Sequence, residues 1–258
     1  MQKYIVDNIS VGAQPNLNLE QMNNFSFYTP SLPEQTKIAN FLTAVDEKLS
    51  QLKKKKSLLE QYKKGVMQQI FTQALRFKSD DGGDFADWEE KKLGEVCTIT
   101  IGEFVIKTKQ VPNGKYPVYN GGKSYTGFYD EFNNEGDKII ISARGANAGF
   151  VNFANGRYWA GNSCYSIGII DKSSYDISYF YYFIKMNENS FIDNQQAANI
   201  PSVSKKDAEN FIIRIPSLPE QTKIANFLSA IDEKINHCGL QIKKMEGWKK
   251  GLLQQMFV

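Results

Sequence analysis

An internal repeat restricts the architecture of this 258-residue chain more than any other feature of its sequence. The twelve letters SLPEQTKIANFL stand at residues 31–42 and return at residues 217–228. Shifting the sequence by 186 positions aligns residues 5–72 with residues 191–258 without a gap, and 29 of the 68 aligned positions are identical. A duplication of this length predicts two equivalent structural elements, so both copies are expected to fold in the same way.

Each copy continues into a stretch with the hydrophobic spacing of a coiled coil. Positions taken alternately four and three residues apart are apolar at nine of twelve sites from Ile38 to Phe77. The same spacing gives nine apolar residues of ten from Ile224 to Met256. A sustained 3.5-residue period is typical of helices that pair in a left-handed coiled coil. We predict two long helices that bind each other antiparallel, within one chain or between chains, although a bundle without a special task has the same periodicity.

The repeated letters also contain a helix start signal. Ser31 and Glu34, like Ser217 and Glu220, have the S-x-x-E spacing in which the serine oxygen caps the first turn and the glutamate reaches back. The proline between them is tolerated because the first turn of a helix needs no backbone donors. A helix of about 44 residues rises roughly 66 Å, which is longer than a compact domain of this size is wide.

Charge is distributed unevenly along the chain. Residues 31–78 hold ten Lys/Arg against four Asp/Glu, whereas residues 88–214 hold fourteen of each sign. The net charge of +3 therefore gives no argument for a nucleic-acid partner, and any basic surface must come from the placement of side chains in the fold. The lysine run at residues 53–56 is typical of a solvated helix face.

The segment between the helices differs in composition from its flanks. The letters SDDGGDFAD at residues 79–87 form a turn-rich acidic linker, and the sequence after Trp88 is rich in glycine, tyrosine and asparagine. Strands are predicted at VCTITI, KIIISA, GFVNF, CYSIGII and FIIRI, and helices at DISYFYYFIKMN and after Ser202. The fold class is therefore α+β, with one mixed α/β domain of about 125 residues between two long helices.

The residue types of an enzyme or a metal site are present but are not arranged for either. The single histidine, His237, falls on the second long helix, and the three cysteines form no C-x-x-C pair. No G-x-S-x-G, H-E-x-x-H, phosphate-loop or N-P-P-Y motif occurs. We expect a non-catalytic protein without a metal or cofactor. The cysteine usage and the lack of an apolar run of roughly 20 residues favour a cytoplasmic protein without a membrane partner.

Three stretches of the middle segment, which we predict to be loops, carry side chains suited to DNA recognition, at residues 116–133, 142–165 and 193–207. Arginine pairs well with guanine, and asparagine or glutamine with adenine. Each residue alone is an ordinary turn residue, but their recurrence within one domain favours a binding surface. The predicted DNA-binding residues are Asn120, Lys123, Ser124, Tyr125, Arg144, Asn147, Arg157, Asn162, Ser163, Gln195, Gln196, Asn199, Lys205 and Lys206.

These segments, in this order, resemble the DNA sequence-specificity (S) subunit of type I restriction-modification enzymes. The resemblance rests on P-x-L-x-E-Q before a long helix, twice, together with WEEKKLGEV at 88–96, YPVYNGGKSYTGFYDE at 116–131 and GAQPNLNLEQM at 12–22. It implies target recognition domains that each read one half of a split DNA site and are each followed by a conserved helix. The paired helices of such subunits hold the readers apart and dock the methyltransferase subunits.

The resemblance also implies a division of this chain and a set of partners. Its parts would be a remnant tail of a first recognition domain at 1–30, a first long helix at 31–78, a linker at 79–87, a target recognition domain at 88–214 and a second long helix at 215–258. The implied partners are double-stranded DNA, methyltransferase and restriction subunits, and a second copy of the chain or another chain with a second reader. Two alternatives stay open: a coiled-coil scaffold whose central domain binds protein, and a nuclease or methyltransferase that turns over alone.

Overall fold

The computed structural model describes residues 18–24, 29–193 and 201–256. These residues form two compact units. The helical unit contains the described residues up to Glu60 together with those from Lys234 onward, and the central unit runs over Gln61–Glu233. The central unit is thus wider than the predicted domain at 88–214, because it includes the adjoining part of each long helix.

Helices and strands alternate irregularly along the chain, as expected for an α+β fold. The helices are α1 Leu19–Asn23, α2 Leu32–Phe71, α3 Leu93–Val96, α4 Ile177–Met186, α5 Asn189–Asp193, α6 Lys205–Asn210 and α7 Leu218–Met256, with one 3-10 turn at Lys107–Lys109. The strands are β1 Glu89–Lys92, β2 Cys97–Ile101, β3 Tyr116–Tyr119, β4 Gly127–Tyr129, β5 Lys138–Ser142, β6 Val151–Ala154, β7 Trp159–Ala160, β8 Cys164–Ile169 and β9 Ile212–Ile215.

The predicted coiled-coil spacing is confirmed by the burial of the long helices. We call the positions taken alternately four and three residues apart, from Ile38 in α2 and from Ile224 in α7, the stripe positions. Every stripe position from Ile38 to Ile70 is buried or half-buried, whereas every other residue between positions 32 and 65 is exposed. All stripe positions of α7 are likewise buried or half-buried. A 3.5-residue period places these side chains on one face of each helix, so that face is the one that packs.

The two long helices pack antiparallel to each other within the chain. In the helical unit, Lys53 forms an ion pair with Glu246 at 2.7 Å, and Lys249 bonds Asp46. In the central unit, Lys63 forms an ion pair with Asp232 at 2.6 Å. Residue numbers rise along one helix as they fall along the other, so the predicted antiparallel pairing is confirmed.

The first helix ends earlier than the predicted boundary at residue 78. Its last residue is Phe71, and Gln73 has a φ of +61°, which is incompatible with a continuing right-handed helix. Phe77 therefore leaves the stripe and packs edge-on against Phe227, with ring centroids 5.6 Å apart. The apolar spacing in the sequence extends past the end of the helix because Phe77 is also apolar. This residue packs against Phe227 and not along the coiled-coil face.

A four-stranded antiparallel sheet in the order β2-β8-β5-β6 forms the core of the central unit. Its strand β5 carries the consecutive residues Ile139, Ile140 and Ile141, each at most 1% exposed. A short continuous apolar run is buried on both faces when its strand is covered on both sides. All five predicted strands are present, as β2, β5, β6, β8 and β9.

Two smaller sheets were not predicted. Strands β4-β3-β7 form a three-stranded sheet in which β3 pairs antiparallel with β4 and parallel with β7. Strands β1 and β9 form an antiparallel pair. The prediction that residues 116–133 are loop is therefore corrected, because β3 and β4 lie within them. These strands have only two to four residues each, which is too short for a visible alternation of apolar and polar side chains.

Helix α4 fastens the sheet to the inner ends of the long helices. The Phe71 ring meets Tyr179 and Phe183 edge-on, at centroid distances of 5.9 Å and 5.3 Å. The Tyr182 hydroxyl donates to Asp232 at 2.8 Å, next to the Lys63 ion pair. Aromatic pairs with this geometry stabilise the packing beyond their buried area.

No helix in the described ranges is both long enough and apolar enough to span a membrane.

Candidate nucleic-acid interface

The turn after β3 packs closely against the loop after β5. Gly121 has a φ of +76°, and a Cβ at this position would lie 2.9 Å from the backbone oxygen of Arg144. Ser142 Oγ donates to the Gly122 carbonyl at 3.0 Å, and Asn147 Nδ2 donates to the Gly121 carbonyl at 3.4 Å. The first and second predicted stretches therefore meet, and glycine is required at 121 by both its φ and its space.

The third stretch joins the same group of loops through its described part. Arg144 and Ser202 form an isolated antiparallel bridge, and the N–H of Val203 donates to the Ala143 carbonyl at 2.9 Å. The N–H of Ala143 donates in turn to the Ser163 carbonyl at 2.8 Å. Backbone hydrogen bonds thus fix segments that are far apart in the sequence. We call residues 120–125, 143–147, 161–163 and 201–203 the loop cluster.

Two of the predicted amide side chains hold the loop cluster together. Asn120 Oδ1 accepts a hydrogen bond from the N–H of Ser163 at 3.2 Å, and a Cβ on Gly161 would lie 2.3 Å from the same oxygen. Asn147 is bonded to the glycine turn, and Asn162 is half-buried. The fold therefore fixes the Asn120 and Asn147 amides, which position the loops that carry the exposed side chains.

Four predicted residues form the exposed part of the loop cluster, namely Lys123, Ser124, Tyr125 and Arg144. The Tyr125 ring is 50% exposed and lies tilted against Phe128, with centroids 5.0 Å apart. Next to Arg144, Gly145 has a φ of +91°, and no atom lies within 4 Å of the place where its Cβ would be. The side chains of this loop are therefore open to a ligand, and there is free space beside Gly145, whose own N–H and C=O are bonded to Pro201 and Ala148.

The Arg144 guanidinium has no acidic partner among the residues that the structure describes. Its electrostatic effect reaches the Tyr165 hydroxyl, which donates to the Val203 carbonyl at 3.2 Å. Burial raises the pKa of Tyr165, Arg144 acts against this rise, and Asp207 and Glu209 add to it. An exposed arginine without a carboxylate partner is available to bind a phosphate or a guanine.

Lys205 and Lys206 begin α6, two residues after the loop cluster. The Ser204 side chain caps this helix by accepting from the N–H of Asp207 at 3.1 Å. Lys205 forms an exposed ion pair with Glu209 at 3.4 Å, and Lys206 is exposed. The two lysines are therefore exposed at the start of α6, and Lys205 is already paired.

The structure places Arg157 apart from the loop cluster. It follows β6, at the opposite end of the β5–β6 hairpin from Arg144. Its guanidinium bonds Glu135 at 3.1 Å and lies over the Phe132 ring at 4.6 Å from the centroid. A hydrogen bond with Tyr116, followed by that with Glu135, raises the pKa of Arg157. Its side chain is thus already paired. The predicted residues Gln195, Gln196 and Asn199 lie outside the described residues.

One exposed aromatic residue near the loop cluster was missed from the sequence. Phe104 is 72% exposed. The preceding residue, Glu103, forms an isolated bridge with Gly161 of the loop cluster, and its N–H donates to the Ala160 carbonyl at 2.8 Å. Base stacking needs an exposed ring of this kind. The letters GEFVIKTK have no turn motif and no clear periodicity, so only the tertiary contacts reveal where Phe104 lies.

The repeated twelve letters have different surroundings in their two copies. We call residues 31–42 the first repeat segment and residues 217–228 the second repeat segment. In the second, Glu220 is fully buried, and its carboxylate accepts from Arg76 Nη2 at 2.9 Å, Arg76 Nε at 3.2 Å and Trp88 Nε1 at 3.2 Å. The hydrogen bond to Glu220 is the largest cause of the raised pKa of Arg76. The expectation that Glu220 reaches back to cap its own helix is therefore wrong.

Gln221 continues this buried contact. Its Oε1 accepts from the N–H of Asp176 at 2.9 Å, and its Nε2 donates to the carbonyls of Ser174 at 3.2 Å and Pro216 at 2.8 Å. In the first repeat segment, Gln35 makes the matching bond to the Pro30 carbonyl at 2.8 Å, but Glu34 and Gln35 are both exposed. The two helix starts thus share local geometry, while only the second is covered by a folded domain.

Comparison with known proteins gives this arrangement a family. A family profile described as "Type I restriction modification DNA specificity domain" matches residues 1–61 and 86–243. These ranges include the larger part of each long helix and the whole loop cluster. The chain belongs to this family. The resemblance inferred from the repeated segments is therefore confirmed.

Individual relatives of the specificity domain agree with this assignment. A specificity subunit assigned to the type I restriction enzyme MjaX of Methanocaldococcus jannaschii is 26% identical over 261 aligned positions, covering 93% of this chain and 60% of that protein. The MjaVIII specificity subunit of the same organism is 27% identical over 181 positions, covering 66% of this chain and 42% of that protein. The chain spans about half the length of these curated relatives.

Solved structures share the fold. The type I restriction-modification S subunit from M. genitalium superimposes with a TM-score of 0.75 at 19% identity, covering 100% of this chain and 70% of that chain. The HsdS subunit from Thermoanaerobacter tengcongensis superimposes with a TM-score of 0.52 at 19% identity, covering 99% of this chain and 67% of that chain. At this identity the likeness concerns the fold, and it confirms the α+β class with two long antiparallel helices.

Proposed function

We propose that this specificity domain reads one half of a bipartite site in double-stranded DNA through its loop cluster. The observation that carries the proposal is the convergence of three distant polar stretches on one surface, where Arg144 is exposed and has no acidic partner among the described residues. Arg144 would contact a guanine or a phosphate, Lys123 and Lys206 would contact phosphates, and Tyr125 would pack on the DNA.

The charge of the chain supports recognition within a complex more than binding by the isolated chain. The central unit Gln61–Glu233 contains nineteen Lys/Arg and twenty-one Asp/Glu, so it is slightly acidic. Non-specific DNA affinity comes chiefly from neutralised phosphates, and it is small for a protein of this charge. We propose that methyltransferase and restriction subunits dock on the long helices and supply further DNA contacts. Catalysis would reside in those subunits, and this chain would have no cofactor of its own.

The first repeat segment supports a second reader. The same twelve residues, in the second repeat segment, pack against the rest of the central unit. In the first repeat segment, however, Glu34 and Gln35 are exposed. An identical surface fits an identical kind of partner, so a second recognition domain would dock there. That domain would come from a second copy of this chain or from another chain, and it would read the other half of the site.

Selection from a random DNA library tests the reading function. The chain is assembled with its methyltransferase subunits, and bound duplexes are sequenced at about 0.1 M salt. We expect an enriched motif, and Arg144→Ala should reduce affinity for it by about 5- to 150-fold, which corresponds to about 1–3 kcal/mol for one base contact. Arg157→Ala is the matched control: it also removes one exposed arginine, but one that already has a partner, so affinity should change less than threefold.

Two results would contradict the proposal. Failure to enrich any motif with the assembled complex would remove the reading function. Equal losses from Arg144→Ala and Arg157→Ala would show that charge alone, rather than the loop cluster, controls binding. A scaffold without DNA function instead predicts that partner subunits stay bound after both substitutions while no duplex is retained.

A further inference from the structure

The two long helices carry the same ion-pairing residues at equivalent positions. With the repeat shift of 186, Asp46 corresponds to Asp232 and Lys63 corresponds to Lys249. In the helical unit Asp46 bonds Lys249, and in the central unit Asp232 bonds Lys63. Each helix therefore contributes one aspartate and one lysine to the same kind of pair.

This equivalence leaves the choice of helix partner undecided. If α2 met α2 of a second copy in the same antiparallel register, Asp46 of each copy would face Lys63 of the other. The pair between Lys53 and Glu246 would also be replaced, because Glu60 is the equivalent of Glu246 in α2. The apolar stripe recurs in both helices as well. None of the repeated residues can therefore distinguish α7 from a second α2.

The middle of the helices is where the two copies differ. Residues 53–56 read KKKK and their equivalents 239–242 read GLQI, without one identity. In the helical unit these segments lie opposite each other: a Cβ on Gly239 would lie 3.9 Å from Lys56 Cε, and Lys55 and Gln241 line one groove of about 620 Å³. The positions of α7 opposite Lys55 and Lys56 are thus neutral, and one of them has no side chain, whereas Lys53 is paired with Glu246 and Lys244 lines the same groove as Lys55.

A second α2 would place lysines where α7 places these neutral residues. In the same register, Lys55 would face Lys55 of the other copy in place of Gln241, and Lys56 would face Lys53 in place of Gly239. Eight ammonium groups would then occupy these four positions of the two helices, where the observed pair has four and Lys243 and Lys244 of α7 follow directly. Like charges across a helix pair oppose pairing, and charges at flanking positions set the choice of partner in coiled coils.

We propose that the lysine run at residues 53–56 is a pairing-specificity element. It permits α2 to pair with α7 and opposes pairing of α2 with α2 of a second copy. This inference goes beyond the DNA-reading function and does not depend on it. A second copy of the chain would therefore not assemble through the stripe face of its α2.

Moving the lysine run between the helices tests the proposal on the full chain. In the doubled variant, G239K/L240K/Q241K/I242K places lysines in both helices. In the exchanged variant, the same four substitutions are combined with K53G/K54L/K55Q/K56I, so the composition equals that of the natural chain. The readout is the thermal midpoint of helix loss by circular dichroism and the rate of proteolysis within the helical unit, at about 50 mM and about 0.5 M salt.

The doubled variant should melt roughly 5 °C or more below the natural chain at low salt, and proteolysis should be at least tenfold faster. High salt should recover much of this loss, because the screening length falls from more than 10 Å to about 4 Å. The exchanged variant should match the natural chain within roughly 2 °C despite its eight substitutions. If the doubled and exchanged variants lose the same stability, the substitutions themselves are harmful and the proposal is overturned.

Cross-linking tests the excluded pairing directly. In the proposed register, residue 55 of one α2 faces residue 55 of another, so an interchain disulfide between the cysteines introduced at position 55 reports such a pair. Every chain tested also carries Cys238→Ala, because α7 brings this native thiol to the same level of the observed helix pair. We expect little cross-linked dimer from Lys55→Cys alone. At least fivefold more should form from Lys55→Cys combined with K53Q/K54Q/K56Q at the same concentration. Equal yields, including none from either chain, would show that the lysines do not control pairing and would overturn the proposal.

Discussion

Glu220 and Glu34 stand at the same position of two identical twelve-residue segments, and replacing each by alanine separates the role of sequence from that of environment. Glu220 is fully buried and accepts three hydrogen bonds, two from Arg76 and one from Trp88. Glu34 is exposed, and no hydrogen bond to its side chain occurs within the described part of the chain.

The expected costs of the two substitutions differ by about 2–3 kcal/mol. Removing one partner of a buried ion pair costs about 3–5 kcal/mol, because the remaining charge is left without compensation. The Arg76 side chain stays 22% exposed, so water can reach it and the loss should fall near the lower end, at about 3 kcal/mol. An acidic residue in the first turn of a helix contributes only about 0.3–1 kcal/mol, and both variants lose that contribution. Glu34→Ala should therefore cost less than about 1 kcal/mol.

Urea unfolding followed by tryptophan fluorescence measures this difference, since Trp88 is itself a partner of Glu220. Glu34 lies in the helical unit and Glu220 in the central unit, and the two units can unfold separately. Each variant is therefore measured in the transition of its own unit, by near-ultraviolet circular dichroism and fluorescence for Glu220→Ala and by far-ultraviolet circular dichroism for Glu34→Ala. Glu220→Gln should lose less than Glu220→Ala, because the amide keeps the shape and one acceptor. Equal losses from Glu220→Ala and Glu34→Ala would refute the claim that the buried network, rather than the helix start, stabilises the second repeat segment.

Two further predictions concern the loop cluster and the buried thiols. Gly121→Ala should destabilise the chain by about 1–3 kcal/mol and weaken DNA binding, because this position combines a positive φ with a contact of 2.9 Å to a new Cβ. Gly136 has a similar φ of +85° but open space around its Cβ position, so Gly136→Ala should cost only about 1 kcal/mol. Urea unfolding measures both losses. Burial raises the pKa of the Cys97 and Cys164 thiols to about 12 each, so both stay protonated in the folded chain while the unfolded chain ionises near pH 9. The contribution of each thiol to stability should be constant below about pH 9 and fall above it by up to about 1.4 kcal/mol per pH unit. Cys97→Ala should reduce the slope of stability against pH above about pH 9, and a slope unchanged by that variant would contradict the assignment.

The long helices and the main strands were predictable because their signals are local and repeated. The stripe from Ile38 to Ile70 recurs at each turn, so an error at one position, such as Lys56, does not remove the pattern. Strand β5 was predictable because its three consecutive isoleucines favour an extended, fully buried strand. Strands β3, β4 and β7 escaped prediction because each has few residues, and the partner of β7 is β3, which is distant in the sequence.

The candidate site was predictable only in part. The polar stretches could be identified in the sequence, and both Arg144 and Arg157 were predicted to bind DNA. The structure places these two arginines at opposite ends of the β5–β6 hairpin. The sequence also presented Asn120 as a reader, whereas its side-chain oxygen is bonded to the loop at Ser163. Hydrogen bonds across long sequence separations decide which polar side chains remain free, and no local pattern reports them.

The repeated segments show most directly what the sequence determined by itself. Identical letters produced the same helix start in both copies, including the same bond from Gln35 to Pro30 and from Gln221 to Pro216. This follows because helix initiation depends on neighbours within a few residues. Only the tertiary structure decided that Glu220 is buried against Arg76 while Glu34 is exposed. Burial depends on which other elements the whole chain brings to that surface, and those elements are present beside one copy and not beside the other in the described part of the chain.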